Sequence, residues 1–224
     1  MNCKLFIATP AFEGKTHLQY ALSLAETASL CKKNHIEIQY CIVASGSLLC
    51  AERNRLVEAF LHSDCTHMLC IDSDLGWAAE AVLGILKKDV SFVGGCYPAR
   101  TEKSFLFRPC LNEDQSLVVD KEKGLIKMEH IPAGFILIRR EVLEKMVKDY
   151  PERRFVPKDG KPSGSALFNT EMYEGEFWGE DYVFCRLLRQ SGFEIWVDPM
   201  IQFDHGGNIG VLASALTDKR PEQQ

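Results

Sequence analysis

The sequence has no apolar run approaching the roughly 20 residues that a membrane span requires, so no segment reads as a transmembrane helix. Met1 to Pro10 lacks a basic region followed by a long apolar stretch, so it does not read as a secretory signal. There is no Cys-x-x-Cys, and the nine cysteines are an odd number, several inside apolar runs (Cys41, Cys70, Cys185). That usage argues against a disulfide framework or a structural zinc site and for reduced, buried thiols in a cytoplasmic protein. Positive charge is not in excess: 26 Lys and Arg stand against 31 Asp and Glu, for a net charge of −5. This disfavours a broad nucleic-acid footprint. The lack of a basic amphipathic segment weakens tight membrane attachment. Two nucleotide fingerprints are also missing. No G-x-G-x-x-G occurs, and Gly14-Lys15-Thr16 has Thr9 where a P-loop needs its first glycine. Neither an internal repeat nor a low-complexity segment is present.

What is there fits one sizeable soluble domain: 224 residues, 46% hydrophobic and 25% charged. Leu5 to Ala8 reads as a buried strand stopped by Thr9 and Pro10. His17 to Lys33 reads as a helix, with its apolar residues at Leu18, Ala21, Leu22, Leu24, Ala25 and Ala28. Ile36 to Ala44 reads as a strand that Ser45-Gly46-Ser47 breaks. Ala51 to Ser63 reads as a helix with Leu56, Val57, Phe60 and Leu61 inward. A strand from about Thr66, a helix over Ala78 to Lys88 and a strand over Val90 to Cys96 follow. Strands alternating with helices predict a mostly parallel sheet flanked by helices. Beyond Cys96 the pattern loosens into loops with a small hairpin. A strand over Phe135 to Ile138, a helix over Glu141 to Tyr150 and a helix after Gly179 with Val183, Phe184, Leu187 and Leu188 inward complete the reading. Phe193 to Val197 and Ile201 to Phe203 read as late strands. Ala133-Gly134 marks backbone approached by a ligand or another strand. Pro151 to Trp178 reads as a lid, and the chain past Ser214 as a polar, frayed end.

The chemistry concentrates in three places. Met68 to Ile71 is an apolar run that ends in Asp72-Ser73-Asp74. On an extended chain both carboxylates project to one side, beyond the carboxyl end of a strand where α/β sheets bind ligands. Two carboxylates there suit a hard divalent cation holding phosphate oxygens, although Asp and Ser are also ordinary turn formers. Glu180 and Asp181 begin a helix, which suits the helix dipole and also a general base. His205, after a strand and before Gly206-Gly207, is a candidate third metal ligand. Arg53 enters a helix just upstream and suits phosphate recognition; Arg55 reads as a solvated face. The first turn, with the backbone at Thr9 and Pro10 and the carboxylate of Glu13, is a candidate nucleotide contact.

Taken in order, Ile7 to Pro10, Ala51-Glu52-Arg53-Asn54, Ile71-Asp72-Ser73-Asp74, Gly179-Glu180-Asp181 and Trp196-Val197-Asp198-Pro199 leading to His205 resemble a nucleotide-sugar glycosyltransferase of the GT-A fold. The likeness is to the family-two-like enzymes of bacteria and phages and spans about residues 3 to 207. The resemblance implies a single GT-A-like, Rossmann-like domain over residues 1–210, with a nucleotide-binding half to about 100, an acceptor half with a smaller sheet region beyond it, and a polar tail over 211–224. It implies Mn²⁺ or Mg²⁺ held by Asp74 and His205, with Asp72 on the ribose or the metal's water shell and Ser73 beside them. It implies a UDP- or GDP-sugar donor. Asp181, with Glu180 next in line, would take the acceptor's proton. No Gln-x-x-Arg-Trp occurs near the end, so one sugar transfer is expected rather than polymer synthesis. The acceptor hydroxyl belongs to a glycan first, with a protein or a hydroxylated DNA base as further options. The competing classes are a nucleotidyltransferase, for which Ala8 to Thr16 offers only Lys15 as a basic residue, and a non-catalytic nucleotide-sugar-binding module of the same fold.

Overall fold

The computed structural model describes residues 3–44, 48–100, 104–156 and 163–217. The break expected at Ser45-Gly46-Ser47 lies outside them, as do parts of the expected lid and of the polar tail. The first half runs β1 (Lys4–Pro10), α1 (Leu18–Lys33), β2 (Glu37–Val43), α2 (Leu49–Leu61), β3 (His67–Ile71), β4 (Leu75–Trp77), α3 (Ala79–Lys87) and β5 (Phe92–Gly94). The second half adds the short β6 (Arg108–Pro109) and β7 (Val119–Asp120), then β8 (Leu125–His130), β9 (Phe135–Arg139) and α4 (Arg140–Asp149). It continues with β10 (Arg154–Phe155), β11 (Gly164–Ser165), the hairpin of β12 (Glu171–Tyr173) and β13 (Glu176–Trp178), and α5 (Glu180–Gln190). β14 (Ile195–Val197), β15 (Gln202–His205), β16 (Asn208–Val211) and α6 (Leu212–Thr217) follow.

The central sheet has the order β2-β1-β3-β9-β5-β14-β8-β6, with β7 also on β8. β1 pairs parallel with β2 and β3, and β5 parallel with β14. β9 lies antiparallel between β3 and β5, so β2, β1, β3, β5 and β14 all run one way. The sheet is mixed, with most strands in one direction, as the alternation of strands and helices predicts.

Period-two alternation decides what each face buries. Leu5, Ile7, Leu69 and Ile71 turn one way and pack with Val82 and Ile85 of α3, and with Tyr20 and Cys31 of α1. Phe6, Ala8, Met68 and Cys70 turn the other way, onto Leu56, Val57 and Phe60 of α2 and onto Val142, Leu143 and Met146 of α4. α5 adds Val183, Phe184, Leu187 and Leu188 to that second core. The result is a three-layer α/β/α sandwich.

α1 departs from its sequence pattern. Leu18 and Leu22 are exposed, while Tyr20, Ser23, Thr27 and Cys31 are buried. The reason is directional bonding: Trp77 donates its backbone N–H to Ser23 Oγ and its indole N–H to Thr27 Oγ1, each at 3.0 Å. Tyr20 Oη meets Thr9 Oγ1 at 2.6 Å. β4 itself is absent from the sequence reading. It forms a second sheet with β15 and β16.

The stretch from 151 to 178 is not a free lid where it is described. Leu167 and Phe168 are fully buried, and Phe168 stacks on Phe184 with ring centroids 4.1 Å apart. Asn54 clamps it, donating to Phe168 O at 2.7 Å and accepting from Phe168 N at 2.9 Å. Beyond the expected start of the polar tail, α6 packs the buried Leu212 into the core. Asn54→Ala removes both clamping bonds and leaves Phe168's backbone groups unpaired. We expect a loss on the order of 2 kcal/mol in folding stability, read as a lower urea midpoint.

Candidate active site

The topology gathers the candidate residues at one edge of the sheet. β1, β3 and β5 all end there, delivering Pro10, Asp72 and the segment that leads to Tyr97. β9 runs the opposite way, so it begins there, just after Ala133 and Gly134. A cavity of about 390 Å³ opens at this edge, lined by Pro10, Ala11, Phe12, Leu49, Glu52, Asp72, Ser73, Asp74, Tyr97, Arg100 and His205. This is where ligands bind in open α/β sheets.

The two aspartates do not sit two apart on an extended strand. β3 ends at Ile71, and Leu75 N–H closes a turn on Asp72 O at 3.2 Å. Both carboxylates still reach the cavity, but each meets a different cation. Asp72 accepts from Arg53 Nη2 at 2.9 Å (Oδ1) and 3.2 Å (Oδ2). Arg53 also donates to Ala133 O at 3.3 Å, and its Nε lies 3.5 Å from Glu180 Oε1, an ion-pair distance longer than a good hydrogen bond. Its guanidinium is buried; burial opposes its charge, but Asp72 and Glu180 outweigh that and hold it protonated. Tyr97 Oη donates to Asp72 Oδ2 at 3.4 Å. Burial, then the Asp72 charge, pushes the Tyr97 phenol well above its ordinary value, so it remains a donor. The close backbone approach expected at Gly134 is made by these side chains: a Cβ there would lie 2.3 Å from Tyr97 Oη and 2.4 Å from Asp72 Oδ2.

Asp74 belongs to the second group. β15 pairs with β4 so that His205 lies opposite Leu75, which brings His205 Nε2 to 3.1 Å from Asp74 Oδ2. His205 Nδ1 lies 2.8 Å from Pro98 O. A carbonyl only accepts, so Nδ1 carries a proton, and Nε2 accepts from Arg100 Nε, which turns its lone pair towards that guanidinium. Two lone pairs, one from Asp74 and one from His205, thus converge on a positive charge. Here the Arg100 guanidinium supplies it, bonding Asp74 Oδ2 and donating from Nε to His205 Nε2 at 3.1 Å. A divalent cation in the guanidinium's place would meet the same two donors, and a backbone carbonyl orienting the far ring nitrogen is what ligating histidines use. Among the described residues no group of three or more His, Cys, Asp and Glu side chains is arranged around a metal position. Asp74 and His205 are two side chains that could hold a hard divalent cation.

Glu180 and Asp181 occupy the first turn of α5. Glu180 faces Arg53, as above. Asp181 Oδ1 accepts from the neighbouring Tyr182 N–H at 2.9 Å. Burial, then repulsion from Glu180, raises the Asp181 carboxyl to about 6. Neither residue lines the cavity; Arg53 links Glu180 to it. Of the first-turn candidates, Pro10 lines the cavity, whereas Thr9 is fully buried with its hydroxyl on Tyr20. Glu13 has left-handed backbone (φ 54°), an exposed side chain and an ion pair with Lys15. Ser73 lines the cavity, and its carbonyl accepts from His17 N at 2.8 Å.

Sequence reasoning missed Tyr97 and Arg100. The only signal was their position: an aromatic and an arginine just past the end of a strand, on either side of Pro98.

No family model and no curated protein matches this chain. Among solved structures it is similar to A197 from STIV, with a TM-score of 0.53 and 18% identity over 91% of this chain and 85% of that chain. Weaker likenesses include residues 1–349 of TarS from S. aureus (TM-score 0.42, 14% identity, 87% of this chain, 57% of that chain). A nucleoside-diphosphate-sugar pyrophosphorylase from Vibrio cholerae RC9 gives TM-score 0.41 and 11% identity over 86% and 90%. At these identities the likeness bears on the fold alone.

Arg53→Met leaves Asp72 and Glu180 without their shared cation. Breaking a buried pair of this kind is expected to cost about 3 kcal/mol, measured by urea unfolding.

Proposed function

We propose that the protein is a metal-dependent glycosyltransferase that moves one sugar from a nucleoside-diphosphate donor to an acceptor hydroxyl, with inversion at the anomeric carbon. One observation carries the reading: the lone pairs of Asp74 and His205 converge on a cation position inside the cavity, while a separate carboxylate, Asp181, has its affinity for a proton raised. The first arrangement suits a leaving diphosphate and the second suits a general base.

Asp74 and His205 would hold Mn²⁺ or Mg²⁺, which would supply positive charge against the departing diphosphate. Asp72, fixed by Arg53 and Tyr97, accepts from the ribose or from the ion's water shell. Pro10, the backbone at Thr9 and Ser73 border the nucleotide, with Glu13 further out. Asp181 takes the acceptor's proton as the acceptor oxygen bonds to the anomeric carbon. The bond from that carbon to the phosphate oxygen breaks, and its electron pair leaves with the diphosphate. A carboxyl near 6 is mostly ionised at neutral pH yet more basic than an ordinary aspartate, which is the compromise a general base needs. Glu180, paired with Arg53, is the weaker candidate. A UDP- or GDP-sugar and a glycan hydroxyl are the favoured substrates. The nine unpaired cysteines support a cytoplasmic setting.

The following outcomes test this. A thermal-shift series of nucleotide sugars with and without Mn²⁺ is expected to give a metal-dependent rise with one nucleotide family. Asp74→Ala should abolish that rise while melting as a folded protein; an unchanged Mn²⁺ dependence overturns the metal assignment. Release of a nucleoside diphosphate rather than pyrophosphate separates glycosyl from nucleotidyl transfer. Asp181→Asn is expected to keep donor binding and lose roughly 10²-fold or more in transfer rate, and wild-type kcat/KM should fall below about pH 6. The sign of the stability effect follows from the same shift. Asp181 is harder to ionise in the fold than in the unfolded chain, so the wild type loses stability as pH rises from about 4 to 6. Asp181→Asn escapes that loss and should be more stable at pH 7 by on the order of 2 kcal/mol. An equal stability difference at pH 4 and pH 7 would contradict it.

A further inference from the structure

The Arg100 side chain is 59% exposed, whereas the two groups it bonds are nearly covered: Asp74 is 9% exposed and His205 12%. Arg100 bonds Asp74 Oδ2 and donates from Nε to His205 Nε2 at 3.1 Å. Its backbone is held more firmly than its side chain. Asn208 Nδ2 donates to Arg100 O at 2.6 Å and to Ala99 O at 2.9 Å, and Ala99 N–H donates to Ser104 O at 2.8 Å. A long, exposed side chain on a fixed backbone leaves its partners by a change of rotamer alone.

The charges around the cavity give that freedom a use. Three carboxylates line it: Glu52, Asp72 and Asp74. Arg55 answers Glu52 and Arg53 answers Asp72, both from α2. Among the described residues that line the cavity, Arg100 is the only lysine or arginine. A nucleoside diphosphate brings further negative charge, so this one guanidinium is needed both on Asp74 and on the phosphates. The conflict disappears when Asp74 and His205 give their lone pairs to a divalent ion instead. The guanidinium is then released, and its planar fork matches phosphate oxygens.

We propose that Arg100 is an exchangeable cation: it holds Asp74 and His205 while they have no metal ion, and pairs with the donor's diphosphate once they hold one. The inference rests on the nucleotide-sugar reading of the cavity. Arg100 thereby sets the site's affinity for the ion, because only the fraction of molecules with the guanidinium swung away is competent to bind it. It also positions the diphosphate, and does so only when the ion is present.

The test is a pair of titrations on the wild type, Arg100→Met and Arg100→Lys. The first follows Mn²⁺ alone by its electron paramagnetic resonance signal. The second follows UDP and GDP by calorimetry, with and without saturating Mn²⁺. Arg100→Met is expected to bind Mn²⁺ about tenfold more tightly than the wild type, since no guanidinium has to leave. Adding Asp74→Ala should remove that gain. With Mn²⁺, Arg100→Met should bind the nucleotide about tenfold more weakly, having lost a charged partner of the phosphates. Without Mn²⁺ the same substitution should change nucleotide affinity by less than about twofold, because in the wild type Arg100 is then still on Asp74. Arg100→Lys, which keeps a cation there, should fall between the two in both titrations.

An equal loss of nucleotide affinity with and without Mn²⁺ overturns the exchange and makes Arg100 a fixed phosphate ligand. A gain in Mn²⁺ affinity that survives Asp74→Ala overturns it as well. A wild type that binds UDP or GDP with no response to Mn²⁺ overturns it in favour of Arg100 standing permanently in the ion's place. A wild type that binds no nucleoside diphosphate overturns the nucleotide-sugar reading and this inference together. Metal-dependent nucleotide binding that Arg100→Met reproduces in both titrations overturns the inference alone.

Discussion

The guanidinium of Arg53 is the contact on which the rest of the cavity's base depends. It is a positive charge taken out of water, held by Asp72, the Ala133 carbonyl and Glu180. Each partner comes from a different part of the chain: the end of β3, the entry to β9 and the start of α5. A buried cation needs good geometry and additional hydrogen bonds to offset its desolvation. These three elements are therefore held in one relative position by a single side chain of α2. The neighbouring Asn54 ties the same helix to Phe168, so α2 carries two buried polar contacts on consecutive residues.

The Asp74 group is built differently. Its partners are brought by strand pairing rather than by a buried charge. β4 is three residues long, docked on hydroxyls of α1 and paired in register with β15. That register, with Asp204 opposite Gly76 and His205 opposite Leu75, sets the imidazole beside Asp74. Gly76 has little room to change, since a Cβ there would lie 2.9 Å from Gln19 Cβ. Asp72 and Asp74 are thus neighbours in sequence with separate duties, one fixed by a helix and the other by a sheet.

Most of the architecture was legible because its cause is local. β1 and β3 announce themselves as short β-rich apolar runs, and α2 and α5 by apolar residues at helical spacing. The Asp-x-Asp, Glu180-Asp181 and His205 stood out because their residue types carry chemistry. What stayed hidden is decided by tertiary contact. The buried face of α1 is lined by Tyr20, Ser23 and Thr27, whose hydroxyls no hydrophobic period reveals, and Leu18 and Leu22 pointed to the wrong side. β4 and β16 are too short to show a period. Arg100 and Tyr97 matter only because β5 ends at the same edge as β3. The pairing of Arg53 with Asp72 and Glu180 spans 19 and 127 residues of sequence, and no spacing rule reaches that far.

The insertion of β9 between β3 and β5 has a consequence for the order in which a growing chain can mature. Domains tend to form from their N-terminal end during synthesis. Here β3 gains its second neighbour only when Phe135–Arg139 has emerged, so until then the apolar backbone edge of His67–Ile71 is open on one side. Asp74 waits longer still, until Gln202–His205 arrives 131 residues after it. A nascent chain halted before β15 would hold the β1–β3 pairing but not the imidazole. The pairing of Asp74 with His205 is thus among the last contacts the polypeptide acquires.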